Sequence, residues 1–165
     1  MTIHKDHPFP TDPDQARRLR GRLGGAVALV TTHDEGLTVS SVLVALGEPA
    51  RVILLLDPDA DLTHDLQEAR RGVLQLLHWR HRPLAEAFAG QAPAPGGPFR
   101  LAEWEQTDSG RRLADAATWA EIEVEDVREV GWSLEVACRL VVVHMGEDAQ
   151  PLEHRRGRYR DGGRQ

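Results

Sequence analysis

The stretch GLTVSSVLVALGEP, residues Gly36–Pro49, decides the fold that the sequence predicts. It is rich in valine and leucine, which is typical of a β-strand that lies on a hydrophobic core. Three hydroxyl side chains interrupt it within four residues, namely Thr38, Ser40 and Ser41. A buried hydroxyl without a partner costs about 1–3 kcal/mol. We therefore expect these hydroxyls to face water, to bond the local backbone or to bind a ligand.

A hairpin and a third strand surround this stretch. Gly25–His33 has a strand pattern and His33–Gly36 has turn chemistry, so Gly36–Pro49 is predicted to be the return strand of a hairpin. Ala50–Asp57 is an almost continuous apolar run, which is typical of a strand covered on both faces.

Three helices are predicted. A basic helix spans Gln15–Leu23, and a second helix begins with Asp61 as its N-cap and ends at Gly72. The third covers RPLAEAFAG, with Pro83 in its first turn and Gly90 as its stop. The later segment FRLAEWEQTDSGRRLADA is predicted to be an irregular surface excursion.

The last third of the chain is rich in strand patterns. Residues 118–127 alternate between apolar and acidic side chains, which indicates a strand with one buried face. In residues 130–144 one face carries Trp132, Leu134, Val136, Cys138, Leu140 and Val142. Cys138 is therefore predicted to be a core residue rather than a nucleophile. About six strands with few helices predict an all-β antiparallel barrel with minor α content.

Composition excludes several classes of protein. The 165 residues suit one domain, and the net charge of −6 argues against a general nucleic-acid binder. The polar N-terminus and the lack of a long apolar run argue against a signal peptide and a membrane span. A single cysteine suits a reducing compartment, so a cytoplasmic protein is expected. Arginines concentrate near both ends of the chain, either as solvated surface or as a site for an anionic ligand or a partner subunit.

Few catalytic motifs are present. The chain has no GxGxxG, GxxxxGK[ST], GxSxG or HExxH pattern. His78 and His81 are three residues apart, but the pattern spans a strand end and a turn, so no metal site is predicted. The hydroxyls of the quoted stretch have two interpretations: a solvated polar face, or a site that binds a phosphate or the edge of a polar ring.

The order of several segments resembles one known family. In chain order these segments are Thr32 with Gly36–Ser41, Glu48-Pro49, Val52–Asp57, Val73–Leu77 and Leu84–Gly90. Together they are similar to the flavin reductase family of FMN-binding split barrels. The resemblance implies a six-stranded antiparallel split β-barrel with short flanking helices over residues 16–160. A flexible arm over residues 1–15 and a tail over residues 161–165 complete the expected organisation.

The resemblance also implies a cofactor site. In this family a T-V-x-S segment lies along the flavin, an amide side chain follows the first helix, and an FAG segment lies near the phosphate end. The residues that match are Thr38, Val39, Ser40, Ser41, Gln75, Phe88, Ala89 and Gly90. The implied cofactor is FMN, with FAD as an alternative, and NAD(P)H is the implied co-substrate. The family pairs its barrels, so a homodimer is expected, with neither nucleic acid nor membrane as a partner.

One departure from the family pattern keeps two functions open. Family reductases often carry Gly-Asp-His where this chain has Gly131-Trp132-Ser133, so the histidine near the nicotinamide is missing. No catalytic acid or base is visible. The first hypothesis is a flavin reductase that transfers hydride from NAD(P)H to FMN or FAD. The alternative is a barrel that binds flavin or another planar cofactor as a carrier or sensor, and a weaker third is a structural dimer with an empty groove.

Overall fold

Residues 13–163 are described by the computed structural model of the chain, and they form α-helices, 3₁₀ turns and twelve strands. The α-helices are α1 (Pro13–Leu23), α2 (Asp61–Ala69) and α3 (Arg82–Phe88). The 3₁₀ turns are Trp79–His81 and Pro98–Leu101. The strands are β1 (Gly25–Ala26), β2 (Ala28–Thr31), β3 (Gly36–Val39), β4 (Val42–Ala45), β5 (Arg51–Leu56), β6 (Arg71–Leu76), β7 (Trp104–Gln106), β8 (Arg111–Leu113), β9 (Trp119–Val130), β10 (Ser133–His144), β11 (Leu152–Arg155) and β12 (Arg158–Asp161).

Seven strands form one antiparallel sheet in the order β3-β2-β6-β9-β10-β5-β4. β3 and β4 are consecutive in the chain, yet they lie at opposite edges of this sheet. Only Ser40 and Ser41 link them, so the sheet curls until its two edges come together. A curled sheet that is not fully closed is a split barrel. The predicted all-β class is therefore confirmed, with seven strands in the sheet rather than six.

The prediction of a single return strand over Gly36–Pro49 is wrong. β3 pairs with β2 as far as Val39, and β4 then pairs with β5, where Val42 lies opposite Leu54. The physical reason is the length of the partner strand. β2 has four residues, so it offers hydrogen-bond partners only to the first part of the stretch. The chain leaves β2 after Val39 and joins the other edge of the sheet.

Two hydrophobic cores lie on the two faces of the sheet. The first fills the barrel, and two leucines of α2 close one end of it; its members include Val30, Val52, Leu54, Leu62, Leu66, Ile122, Val136 and Cys138. The second lies between the barrel and α3, and its members include Val27, Leu29, Leu77, Leu84, Phe88, Leu113 and Leu152. Residues 27–30 alternate between the two cores, so this segment is buried on both faces.

Three strand predictions need correction. β5 is covered on one face only: Leu54 is buried, whereas Leu55 faces outward and is 40% exposed. Residues 99–116 are not an irregular excursion, because β7 and β8 pair and carry Leu113 into the second core. Trp132 lies at the tip of the β9–β10 hairpin and is 80% exposed, and a register shift before Val142 turns that side chain outward. Strands as short as β7 and β8 have too few residues to show an alternating pattern.

The helix boundaries differ slightly from those predicted. α1 begins at Pro13 rather than Gln15, and Ala60 rather than Asp61 is the N-cap of α2. Arg70 ends α2 in a left-handed conformation with φ of 63°. Gly72, predicted as the stop, lies in β6, where a Cβ atom would come within 3.0 Å of the Thr31 carbonyl oxygen.

A second sheet joins the two ends of the described chain. β1 pairs with β11, and β11 pairs with β12 in a hairpin. The turn of that hairpin holds α1, because the Arg156 N–H donates to the Gly21 carbonyl oxygen at 2.9 Å. α1 is therefore fixed beside the barrel by backbone contacts at its end, and none of its side chains is buried.

The predicted arm and tail fall partly outside the described residues, which exclude 1–12 and 164–165. Residues 13–15 belong to α1, and Asp161 belongs to β12. The domain boundaries at residues 16 and 160 stay predictions. Within residues 13–163, no helix combines the length and the apolar character needed to cross a membrane.

Candidate functional site

A cleft with a volume of about 1180 Å³ lies between α1 and the outer face of β4 and β5. The hydrophobic side chains of one wall are Val42, Leu43, Ile53 and Leu55. The opposite wall comes from α1 and from the β11–β12 turn, and the Ser40–Ser41 link lies at the cleft as well. We call this cleft the groove.

The groove exists because the fold leaves two surfaces uncovered. The outer face of β4 and β5 carries Leu43, which is 72% exposed, and α1 does not pack side chains against it. α1 is held at a distance by its backbone bond to Arg156. An apolar wall that faces a polar wall across a concave space is the usual composition of a small-molecule site.

Ser40 and Ser41 lie between the two edge strands, in neither strand. Neither hydroxyl has a hydrogen-bond partner among residues 13–163, and the Ser41 carbonyl oxygen accepts from the Leu55 N–H at 3.1 Å. Their hydroxyls are therefore available to a ligand in the groove. Val39, the residue before them, is buried in the first core.

Thr38 and Gln75 are placed differently. The Thr38 hydroxyl donates to the Ala85 carbonyl oxygen at 2.6 Å, so it joins β3 to α3. Gln75 is fully buried; its amide nitrogen lies 2.7 Å from the Leu29 carbonyl oxygen, and its oxygen accepts from the Leu113 N–H at 3.0 Å. Both side chains are engaged within the protein, and the cofactor contacts predicted for them stay predictions.

The FAG segment lies at the end of α3, outside the residues that line the groove. Phe88 is a member of the second core and meets the rings of Phe99 and Trp104 edge to face. Ala89 and Gly90 are exposed, and Gly90 has the positive φ of 71° that ends the helix. Of the eight predicted cofactor residues, the structure thus brings Ser40 and Ser41 to the groove. A role for the FAG segment stays a prediction.

The groove is lined by arginines, and the sequence alone did not predict that they would lie together. The lining includes Arg17, Arg18, Arg20, Arg22 and Arg156, which we call the arginine cluster. His154 also lines the groove, and burial together with the nearby Arg20 charge lowers its pKa. The two dense arginine runs in the sequence were a signal, but they are more than a hundred residues apart. Only the β1–β11 pairing brings them together.

The residues of the groove fit a flavin. A flat isoalloxazine ring needs an apolar surface, which Leu43 and Leu55 supply, and hydrogen-bond partners at its polar edge, which Ser40 and Ser41 supply. The phosphate group needs cations, and guanidinium groups bond phosphate oxygens strongly. The groove thus offers each part of the molecule a matching surface.

Two other clusters have a structural explanation. His81 accepts a hydrogen bond from the His78 N–H at Nδ1, and its Nε2 lies 3.0 Å from Asp115, so both ring nitrogens are engaged. Burial lowers the pKa of His81, whereas the nearby Asp115 carboxylate acts to raise it.

Cys138 is buried, and burial raises the pKa of its thiol to about 12, which suits a core residue. Within residues 13–163, no three potential metal-ligating side chains cluster together.

Comparisons with known proteins identify relatives of the chain. The sequence model of the flavin reductase like domain matches residues 20–163. A curated FMN reductase (NADH) from Bradyrhizobium diazoefficiens is 26% identical over 136 residues, which cover 79% of this chain and 75% of the relative. An NADPH-flavin oxidoreductase from Streptomyces viridifaciens is 29% identical over an alignment 167 positions long, which covers 91% of this chain and 82% of the relative.

Solved structures share the fold. An NADH:FAD oxidoreductase from Streptomyces globisporus, in complex with NAD and FAD fragments, superposes with a TM-score of 0.82 at 20% identity. That superposition covers 92% of this chain and 93% of the other. Because the family model spans most of the chain and the fold agrees, the chain belongs to the flavin reductase like domain family.

Proposed function

We propose that this protein is a flavin reductase that transfers hydride from NAD(P)H to FMN or FAD. The observation that carries the proposal is the groove, in which the free hydroxyls of Ser40 and Ser41 lie beside an apolar wall. Family membership supports it, and so do the two curated relatives, which are named as NADH- and NADPH-dependent flavin enzymes.

The residues of the groove bind and orient. Leu43 and Leu55, which line the groove, would pack against the flat ring and exclude water from one face of it, while Ser40 and Ser41 would bond its polar edge. The arginine cluster offsets the charge of phosphate groups. A flavin bound there would supply the redox chemistry, namely hydride transfer from a nicotinamide. The protein contributes the position of the two rings.

The carrier or sensor alternative has less support. That alternative was suggested by the missing Gly-Asp-His motif. Trp132 occupies the middle position of the corresponding segment and is exposed at the tip of the β9–β10 hairpin. The curated relatives that match the chain are named as enzymes, which favours reductase turnover. We assign no residue of this chain as a proton donor.

We also propose that the protein is a cytoplasmic homodimer. Leu46 is 93% exposed and Met145 is 74% exposed. Both lie beyond the level of Arg51 in the same direction, Leu46 directly after Ala45 and Met145 six residues after Arg139. Exposed side chains of this size at one end of a barrel suit contact with a second copy. The single cysteine is a free thiol, which suits a reducing compartment.

Anaerobic flavin reduction tests the proposed enzyme activity. The purified protein is mixed with FMN or FAD and with NADH or NADPH, and the absorbance of oxidised flavin is followed. We expect catalytic loss of that absorbance with at least one pair. Flavin binding without any reduction would support the carrier alternative, and no binding of either flavin would contradict the proposed site.

A further inference from the structure

We propose that the arginine cluster is a phosphate subsite that binds the 2′-phosphate and pyrophosphate of NADPH, so that the enzyme prefers NADPH to NADH. The proposal rests on the proposed flavin reductase function and adds the identity of the reductant.

The first support is the distribution of charge. The guanidinium groups of Arg18, Arg20, Arg22 and Arg156 have no hydrogen-bond or ion-pair partner among residues 13–163. Among the same residues, Asp14, which bonds Arg17, is the one carboxylate that lines the groove. Other arginines of the barrel pair with acids, as in Arg51–Glu125, Arg71–Glu123 and Arg128–Glu135. Four guanidinium groups without an acidic partner therefore lie together in the groove of a chain whose net charge is −6. Such an arrangement attracts anions to the groove.

The second support is the conformation of Arg156. The β11–β12 hairpin has a two-residue loop, Arg156-Gly157, and both residues have positive φ, at 53° and 75°. Turns of this type strongly favour Asn-Gly or Gly-Gly, because a longer side chain is strained there. The backbone of Arg156 also bonds Gly21 of α1, which fixes it in the wall that α1 and the β11–β12 turn form together. A guanidinium group placed at a strained position beside the groove points to a role for its charge.

The third support is the amount of charge and space. A flavin mononucleotide carries one phosphate group, and such a group bears about −1.5 to −2 at neutral pH. NADPH carries a pyrophosphate and a 2′-phosphomonoester, which better match the five arginines of the cluster. The groove volume of about 1180 Å³ lies above the roughly 300–1,000 Å³ typical of a pocket for one small ligand, which is consistent with room for more than a flavin.

A pair of adenine nucleotides tests the subsite without turnover. Adenosine 2′,5′-bisphosphate and 5′-AMP differ only in the 2′-phosphate, and calorimetric titration of the full-length protein gives their affinities. We expect the bisphosphate to bind at least about 10-fold more tightly than 5′-AMP. One or two charge-assisted hydrogen bonds provide a gain in affinity of this size. The difference should shrink as salt is added, because the arginines are exposed.

Arg156→Asn is the decisive variant, since asparagine suits the turn and removes the charge. We expect it to keep or raise the unfolding midpoint and to remove most of the preference for the bisphosphate. Arg18→Gln with Arg22→Gln should weaken the bisphosphate in the same way. Arg158→Gln is the matched control, because Arg158 lies on the same hairpin outside the groove and should leave the preference intact.

The outcomes separate the two proposals. Equal affinity for the two nucleotides, or a preference that survives both sets of arginine variants, would overturn the subsite whatever the enzyme reduces. Variants that weaken FMN but not the bisphosphate would show that the arginine cluster holds flavin phosphate, which overturns the assignment to NADPH. A clear bisphosphate preference in a protein that reduces no flavin would support the subsite and contradict the reductase function.

Discussion

Ser40 and Ser41 offer the sharpest test of the flavin site, because the fold uses neither hydroxyl. We expect Ser40→Ala with Ser41→Ala to weaken flavin binding by roughly 10-fold, as the loss of two hydrogen bonds predicts. The free energy of unfolding of the apo protein should change by within ~0.5 kcal/mol. Flavin fluorescence titration and denaturant unfolding of the same variant measure the two quantities. Unchanged affinity in a folded variant would leave these hydroxyls as solvated surface.

Gln75 behaves in the opposite way, since its amide is part of the fold. Gln75→Leu leaves the buried Leu113 N–H and the Leu29 carbonyl oxygen without this partner. Each buried group that loses its bond costs about 1–3 kcal/mol, so we expect a loss of at least ~2 kcal/mol in the free energy of unfolding. Gln106→Leu is the control at an exposed position and should change stability little. A fully stable Gln75→Leu that loses flavin would instead place Gln75 at the cofactor.

His81 makes stability depend on pH. Burial lowers its pKa below the ordinary value near 6.5, so the folded chain binds a proton less readily than the unfolded chain. The contribution of neutral His81 to the free energy of unfolding is complete above the ordinary pKa value. It is lost as the pH falls below that value, since the unfolded state then takes up more protons than the folded state. Asparagine retains an acceptor for the His78 N–H, so His81→Asn should flatten the decline in unfolding free energy between about pH 7 and pH 5. His64→Asn, at an exposed site, should leave the decline unchanged.

The contact of α3 with β3 depends on a glycine. A Cβ atom at Gly36 would lie 2.5 Å from the Phe88 ring, so Gly36→Ala forces α3 away from the strand. Such overpacking costs about 1–3 kcal/mol of unfolding free energy. Phe88→Leu should relieve part of the loss, so the double variant should be more stable than the sum of the two single changes predicts. Gly21→Ala in α1 is the control; its Cβ meets only an ordinary contact at 3.5 Å, and it should stabilise by up to about 1 kcal/mol.

Elements with a local cause were predictable from sequence, and elements with a distant cause were not. α3 follows from Pro83 and Gly90, and the core position of Cys138 follows from alternation along β10. The division of Gly36–Pro49 into two strands depends on how many residues β2 offers as partners, which no pattern inside the stretch records. β7 and β8 were not predicted, because each has three residues and is too short to show an alternating pattern.

The residues of the candidate site were likewise predictable only where their cause is local in the sequence. The hydroxyls of Ser40 and Ser41 were found because they conflict with an apolar strand, and this conflict is visible locally. Gln75 matched a family position, but whether its amide is free depends on Leu29 and Leu113, which come from other strands. The arginine cluster requires the pairing of β1 with β11, a contact between distant parts of the chain.

The molecule as a whole is expected to be a dimer. Light scattering at micromolar concentration should give twice the 18.3 kDa chain mass. Leu46→Asp with Met145→Asp places charge in the exposed apolar end and should shift the population toward monomer. Leu101→Asp changes an exposed leucine elsewhere and should leave the dimer intact. A monomer mass for the unchanged protein would contradict the expectation.

The joining of α1 to the β11–β12 hairpin sets the order in which the protein is completed on the ribosome. The barrel strands β2 to β10 follow α1 in the chain and can pair while translation continues, since domains fold as their segments become available. The anchor of α1 at Arg156 follows β10, so it is translated only after all the barrel strands. A nascent chain that stops before Leu152 therefore has the complete seven-stranded sheet but lacks the β11–β12 turn that holds α1 beside the groove. The growing polypeptide consequently acquires its barrel before it acquires its binding site.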